Sequence, residues 1–295
     1  MGFIEQIKAQ WRSGGAHISL IYINIAIFLI LKAVEIVCKL FLINKIDLTE
    51  FLAMPSNFGA LGVKFWTPIT YMFFHKEFWH ILFNMLCLYW FGTLFLSMFS
   101  NKQLVSVYVF GGLAAAVFYV LCFNFVPYYQ QYFLSSLLMG ASGAIMALVV
   151  AVAVWQPNSE IRLLLIGAVK LKFIAIAFLL ISFFSLTSFN GGGEVAHLGG
   201  AAAGWLFAFN LKKKNCDITA WINRIIDWLV TLFGKRKQKL KHTRPDYSRM
   251  SDADFNYNKS RNNEEIDRIL DKIKSSGYES LSKDEKQFLF SQGKK

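Results

Sequence analysis

Between His17 and Leu211 the sequence returns repeatedly to apolar runs near the length of about 18 residues that lets a helix cross a bilayer, and only short polar breaks separate them. In lipid every backbone N–H and C=O must be satisfied internally, so such runs read as spanning helices. Composition agrees: 55% apolar residues, 16% aromatics and a mean hydropathy of +0.40 do not describe a soluble globule. The expected fold class is therefore all-α, a polytopic membrane bundle.

Taken in order, residues 1–16 form a short polar start with Lys8 and Arg12. The first apolar run extends from His17 to Leu31, or to Leu42 if Lys32, Glu35 and Lys39 are tolerated. Lys32 and Glu35 are three apart and able to pair on a helix, although an early end to the span is the simpler reading. With no small-residue cleavage site after it, this span reads as an uncleaved anchor. Residues 43–79 carry Pro55, Gly59, Gly62, Pro68 and many aromatics, which suits a structured loop half-sunk in the interface. Further spans are expected at 80–99, at 104–123, from Leu137 or Ser142 to Trp155, at 173–189 and at 195–211, with an interfacial segment over 161–169. Six spans put both termini on one side. Lys8, Arg12, Lys102, Arg162, Lys170, Lys172 and Lys212–Lys214 fall on that side, against Lys45, Lys64 and Lys76 opposite. The positive-inside bias then makes the termini cytoplasmic and runs spans two, four and six inward in parallel. The expected location is the inner membrane of a bacterium.

The formal net charge is +12. Residues 212–295 hold 20 Lys and Arg against 12 Asp and Glu, so this tail supplies +8 of it. Beside a membrane domain, such a tail meets anionic headgroups or marks the cytoplasmic face rather than nucleic acid. Cys38, Cys87, Cys122 and Cys216 have no Cys-x-x-Cys spacing, and neither a disulfide framework nor a zinc site is indicated. Ile218, Trp221, Ile222, Ile225, Ile226, Leu229, Leu232 and Phe233 recur at helical spacing before Gly234 and the basic run 235–241, which suggests an amphipathic helix lying on the inner leaflet. Residues 242–262 read as polar linker. Ile266, Ile269, Leu270 and Ile273 then mark a short helix, and Ser282 with Glu285 gives the capping-box signature of another ending near Phe290. The expected division is 1–16, 17–211, 212–262 and 263–295. The last segment is too small to bury much core alone.

Within the spans, hydrogen-bonding groups need a partner or a water-filled cavity. Four stand out: His80 and Asn84, four apart on one helix face, Ser142 and His197. At about 1.5 Å rise per residue, Ser142 lies roughly 20 Å outward from Trp155, His197 about 22 Å from Lys212, and Asn84 about 25 Å from Asn101. In a core about 30 Å thick these depths nearly coincide, a few ångströms below the outer face, with His80 one turn higher. A serine hydroxyl needs a base to become a nucleophile, and His197 is the natural one. The side chains of His80 and Asn84 and the backbone N–H at Ser142 are available for a developing oxyanion. Gly140 and Gly143 allow close backbone approach. Glu194, three residues before His197, sits in a glycine-rich stretch read as loop, so a Ser–His dyad is expected. Gly200 and Gly204 read as helix packing. From the residues alone, a hydrolytic site and a polar pathway through a transporter both stay open.

Gly140-Ala141-Ser142-Gly143, His80-Ile81-Leu82-Phe83-Asn84 and Ala196-His197-Leu198-Gly199-Gly200 resemble, in order and spacing, the Gly-x-Ser-x, His-x-x-x-Asn and Ala-His-x-x-Gly motifs of the rhomboid intramembrane serine proteases. The resemblance spans about residues 17–211. It implies a six-span rhomboid-like bundle with Ser142 as nucleophile, His197 as general base, and His80, Asn84 and Gly140 stabilising the transition state, without metal or cofactor. It also implies transmembrane segments of other proteins as substrates, cut near the outer face and admitted laterally from the lipid bilayer beside span five. A non-catalytic relative that binds unstable membrane helices is the alternative. Met146 stands where many members place an aromatic that stacks on the histidine, Trp66-Thr67 replaces a frequent Trp-Arg pair, and Leu96 an acidic residue. No stretch of sequence specifies an oligomeric state.

Overall fold

The computed structural model describes residues 14–42, 48–163, 167–233 and 252–292. The N-terminal Lys8 and Arg12, Lys45 and the basic run 235–241 lie outside them. Contacts divide the chain into two compact units, 1–234 and 235–295.

The first unit is helical. Among the described residues, three helices are long and apolar enough to cross a membrane: α1 (Ala16–Leu40), α2 (Phe78–Leu96) and α3 (Asn101–Phe125). Two shorter apolar helices follow, α4 (Ser142–Trp155) and α5 (Leu171–Phe184), and then α6 (Gly191–Lys214) with a middle rich in glycine and alanine. Their ends have local causes. Ser100 and Gln103 form a reciprocal capping box at the start of α3. Asn215 adopts a left-handed conformation (φ 49°) after the last turn of α6, where Lys212–Lys214 face the negative end of the helix dipole. The early end to the first span does not occur: α1 runs on to Leu40, because Glu35 pairs with both Lys32 at 2.8 Å and Lys39 at 2.7 Å. Charges that would stop a helix singly are mutually satisfied at these spacings.

At the centre is α4, buried at every position from Gly143 to Ala153 and touched by α2, α3, α5 and α6. Its pairing with α6 is backbone on backbone. A Cβ on Gly200 would run into the carbonyl oxygen of Gly143, and one on Gly204 into that of Ala147. Between membrane helices the lipid is as apolar as the side chains, so close packing of small residues supplies the attraction that hydrophobic burial supplies in water. Lys212 Nζ closes the lower end on the carbonyl of Trp155 at 2.9 Å.

The long segment before α2 is ordered, with short helical turns at Leu48–Leu52, Phe58–Val63, Thr67–Thr70 and Tyr71–Phe73. Two buried tyrosines pin it to α3: Tyr71 OH donates to Gly112 O at 2.7 Å and Tyr108 OH to Met72 O at 3.2 Å. Trp66 Nε1 donates to Phe51 O at 2.8 Å and Thr67 Oγ1 to Lys64 O at 2.7 Å, so the Trp-Thr pair is bonded within the loop itself. The two-residue strands β1 (Met54–Pro55) and β2 (Leu137–Leu138) pair antiparallel and lead the chain towards Ser142. The stretch expected as an interfacial segment forms the antiparallel strands β3 (Glu160–Leu163) and β4 (Gly167–Lys170).

The basic-tail helix, α7 (Ala220–Phe233), is tied to the base of α3. Ser106 Oγ and Thr219 Oγ1 are 2.8 Å apart, Lys102 pairs with Asp227 at 2.7 Å, and Ile222 is buried. Trp221, Ile225, Trp228 and Leu232 stay exposed.

In the second unit, α8 runs from Asp252 to Ser276 and α9 from Lys283 to Gln292. Residues 252–262, which read as linker, are therefore helical. The capping box is present, with Ser282 N donating to Glu285 Oε2 at 2.7 Å and Glu285 N to Ser282 Oγ at 3.2 Å. The Ser282 amide and the Lys272 ammonium hold the half-buried Glu285 carboxyl well below its usual range, at about 2. Ile269 and Leu281 are the buried apolar side chains among this unit's described residues.

Candidate active site

The turn that delivers Ser142 is shaped by Gly140, whose φ of 110° only glycine adopts readily. Its N–H donates to Tyr71 O at 2.9 Å, and a Cβ there would lie 2.6 Å from His80 Cε1. The next N–H, that of Ala141, donates to His75 Nε2 at 3.3 Å. Burial first, and the neighbouring His80 second, push the His75 imidazole down to about 4, so its nitrogen is free to accept at neutral pH. The loop pinned by Tyr71 and Tyr108 thus grips the residues immediately before Ser142. As the first residue of α4, Ser142 has an N–H without an intrahelical acceptor.

Across the seam, His197 lies one turn before Gly200, and Ser142 immediately precedes Gly143. The backbone contact of those glycines thus brings serine and histidine to the lining of one cavity. His80 and Asn84 come from the first two turns of α2, with Asn84 Nδ2 donating to His80 O at 2.9 Å, which leaves one amide hydrogen for other partners. Ser142, His197, His80 and Asn84 all line one cavity of about 280 Å³. Phe83 and Cys87 from α2, Ile145, Met146 and Val149 from α4, and Phe178 and Ile181 from α5 give it apolar walls. Gly140 is not in its lining, and its N–H is already engaged. Its contribution is to let the chain pass beneath the His80 ring rather than to donate to an oxyanion.

Two features differ from the expectation. Glu194 is not in a loop: α6 begins at Gly191, and the helix places Glu194 Oε2 3.1 Å from His197 Nδ1. Ser182 of α5, buried at 2% exposure, lies 3.0 Å from the same nitrogen. Ser182 was legible as a polar group inside an apolar run, the signal that marked the other four. The three glycines 191–193 hid Glu194 by resembling a loop. Met146 lines the wall one turn beyond Ser142, and among the described residues no aromatic ring stacks on His197. No group of three or more His, Cys, Asp and Glu among the described residues is arranged to hold a metal ion.

The model of the Rhomboid domain matches residues 63–214, just over half of the chain and all of the cavity lining. The chain belongs to the rhomboid family. This rhomboid is similar to Rhomboid protein 1, mitochondrial, of Saccharomyces cerevisiae, with 26% identity over 150 residues. That match covers 48% of this chain and 40% of the yeast protein, so the chain spans well under two thirds of that relative's length. Residues 251–293 match a second model, a family of unknown function (DUF6576). The rhomboid match and the apolar helices make this an integral membrane protein.

Proposed function

We propose that this rhomboid is a serine endopeptidase that cleaves transmembrane segments of other membrane proteins inside the bilayer. The observation that carries the reading is the single cavity shared by Ser142, His197, His80 and Asn84. In the reaction, His197 takes the proton of Ser142 at Nε2 as the oxygen attacks the scissile carbonyl carbon. The resulting oxyanion accepts hydrogen bonds from His80, from the free amide hydrogen of Asn84 and from the Ser142 N–H. His197 then hands its proton to the departing amine, the peptide C–N bond breaks, and a water activated by the same histidine hydrolyses the acyl-enzyme. His80 donates through a ring N–H.

Six spans with both termini cytoplasmic belong to the same reading, supported by the distribution of lysines and arginines along the sequence. The four-part organisation of the chain, with 212–262 as basic helix and linker and 263–295 as an accessory segment, goes with it. A helix of 14 residues is only about 20 Å long against a core of about 30 Å, so α4 leaves Ser142 below the outer surface, where a substrate helix must unwind to reach it. Water enters from that surface, and substrates enter from the bilayer past α5.

The test is cleavage of a single-span substrate in proteoliposomes. Ser142→Ala and His197→Ala are expected to fall to background, and a serine-directed phosphonate to label the parent protein but not Ser142→Ala. Parent-level cleavage by either variant would overturn the mechanism. An absence of both labelling and cleavage would favour a non-catalytic binder of membrane helices.

A further inference from the structure

Resting on the reading above, the histidine raises a question that a serine–histidine pair does not answer: what keeps its ring in place and its proton on the right nitrogen? To accept from Ser142, Nε2 must be bare, so the single proton of the neutral ring has to sit on Nδ1. A hydroxyl cannot enforce this, because it donates as readily as it accepts. An ionised carboxylate can, because it only accepts. Both kinds of group face Nδ1 here, the Ser182 hydroxyl at 3.0 Å and the Glu194 carboxylate at 3.1 Å.

We propose that Glu194 is the positioning residue of a Ser142–His197–Glu194 triad, with Ser182 as an auxiliary anchor contributed by α5. The geometry around Glu194 is that of a built site. Its side chain is 14% exposed, and Ser182 and Asn190 line the same cavity beside it. With the ring proton on Nδ1, the Glu194 carboxylate and the Ser182 oxygen can both accept from it. The two anchors differ in one respect. Glu194 rides on the same helix as His197, one turn earlier, and the pair moves as a unit. Ser182 rides on α5, which buries only Leu171, Ala175 and Ser182. A substrate that pushes α5 aside removes the serine anchor and leaves the carboxylate.

When His197 takes the proton of Ser142, the imidazolium carries a proton on each nitrogen, and the Glu194 negative charge stabilises it without accepting either. No bond to Glu194 forms or breaks. Among the residues lining the cavity, the other titratable groups are His80 and Cys87 of α2, and Glu194 is the one acid.

The test compares Glu194→Gln, Glu194→Asp, Ser182→Ala and the double variant Glu194→Gln/Ser182→Ala in proteoliposomes, with parent cleavage as the control that the protease reading holds. Glu194→Gln keeps the shape but can turn an N–H towards Nδ1. We expect kcat to fall roughly ten- to hundredfold with KM within about twofold, phosphonate labelling of Ser142 to slow in parallel, and the thermal midpoint in detergent to stay put. Glu194→Asp should recover part of the loss, Ser182→Ala should cost only a few-fold, and the double variant should be non-additive. Unchanged kcat in Glu194→Gln beside an active parent would overturn the triad. So would a loss in Glu194→Gln matched by an equal fall in the thermal midpoint, since that makes the contact structural. An inactive parent would instead remove the protease reading itself.

Discussion

The seam between α4 and α6 and the wall formed by α5 border the same cavity and are packed in opposite ways. At the seam, glycines bring two backbones into contact, α4 is buried along its length, and Ser142 and His197 are held by the helices themselves. The wall touches the bundle through few side chains and leaves Phe173, Ile176, Leu180, Ile181, Phe183 and Phe184 exposed. The contrast is the division of labour that the proposed proteolysis would require. Attack geometry tolerates little displacement, whereas a substrate arriving from the bilayer needs one side able to yield.

The sharpest way to break this comparison is to force the seam apart. Gly200→Val puts a side chain against the Gly143 carbonyl and should destabilise the bundle at or above the top of the overpacking range of about 1–3 kcal/mol, abolishing cleavage. A thermal midpoint within a degree of the parent would show that the seam is not rigid.

A milder perturbation addresses the wall. Phe178 packs edge-on to Phe91 of α2, with ring centroids 6.1 Å apart, and is one of the few ties of α5. Phe178→Ala should lower stability by only about 1 kcal/mol, while cleavage of a transmembrane substrate rises several-fold. A drop in cleavage together with a large loss of stability would place α5 with the seam.

The smallest effect is expected at α7, which combines both kinds of packing, polar ties to α3 on one side and exposed tryptophans on the other. Replacing Trp221 and Trp228 by Ser should leave catalysis intact and hasten proteolysis of the tail in liposomes. Unchanged protection would mean that the exposed face does not rest on lipid.

Much of this arrangement is legible along the chain. The apolar runs led to helices close to those found, and counting residues along the expected spans singled out Ser142, His197, His80 and Asn84, which do line one cavity. Helix periodicity and rise are local properties, so counting residues suffices. The misreadings also have local causes. Lys32, Glu35 and Lys39 looked like a helix end because a charge by itself is costly in lipid, and their mutual pairing becomes visible only once the helix is built. Gly191–Gly193 looked like a loop because glycine is a weak helix former. There the helix is held by its neighbours, as the close approach of Gly192 to Tyr119 and Phe123 of α3 illustrates.

By itself, then, the sequence determined that this chain lives in a membrane, roughly where most of its helices fall and which polar groups within them need an explanation, because lipid imposes one length and one hydrogen-bonding rule on every span. Only the tertiary structure decided what stands behind His197. Glu194 needed a helix whose start is set by packing, and Ser182 had to be carried there on another helix. Which partner a ring nitrogen finds depends on the facing of side chains across a packed interface, and no spacing along the chain encodes that.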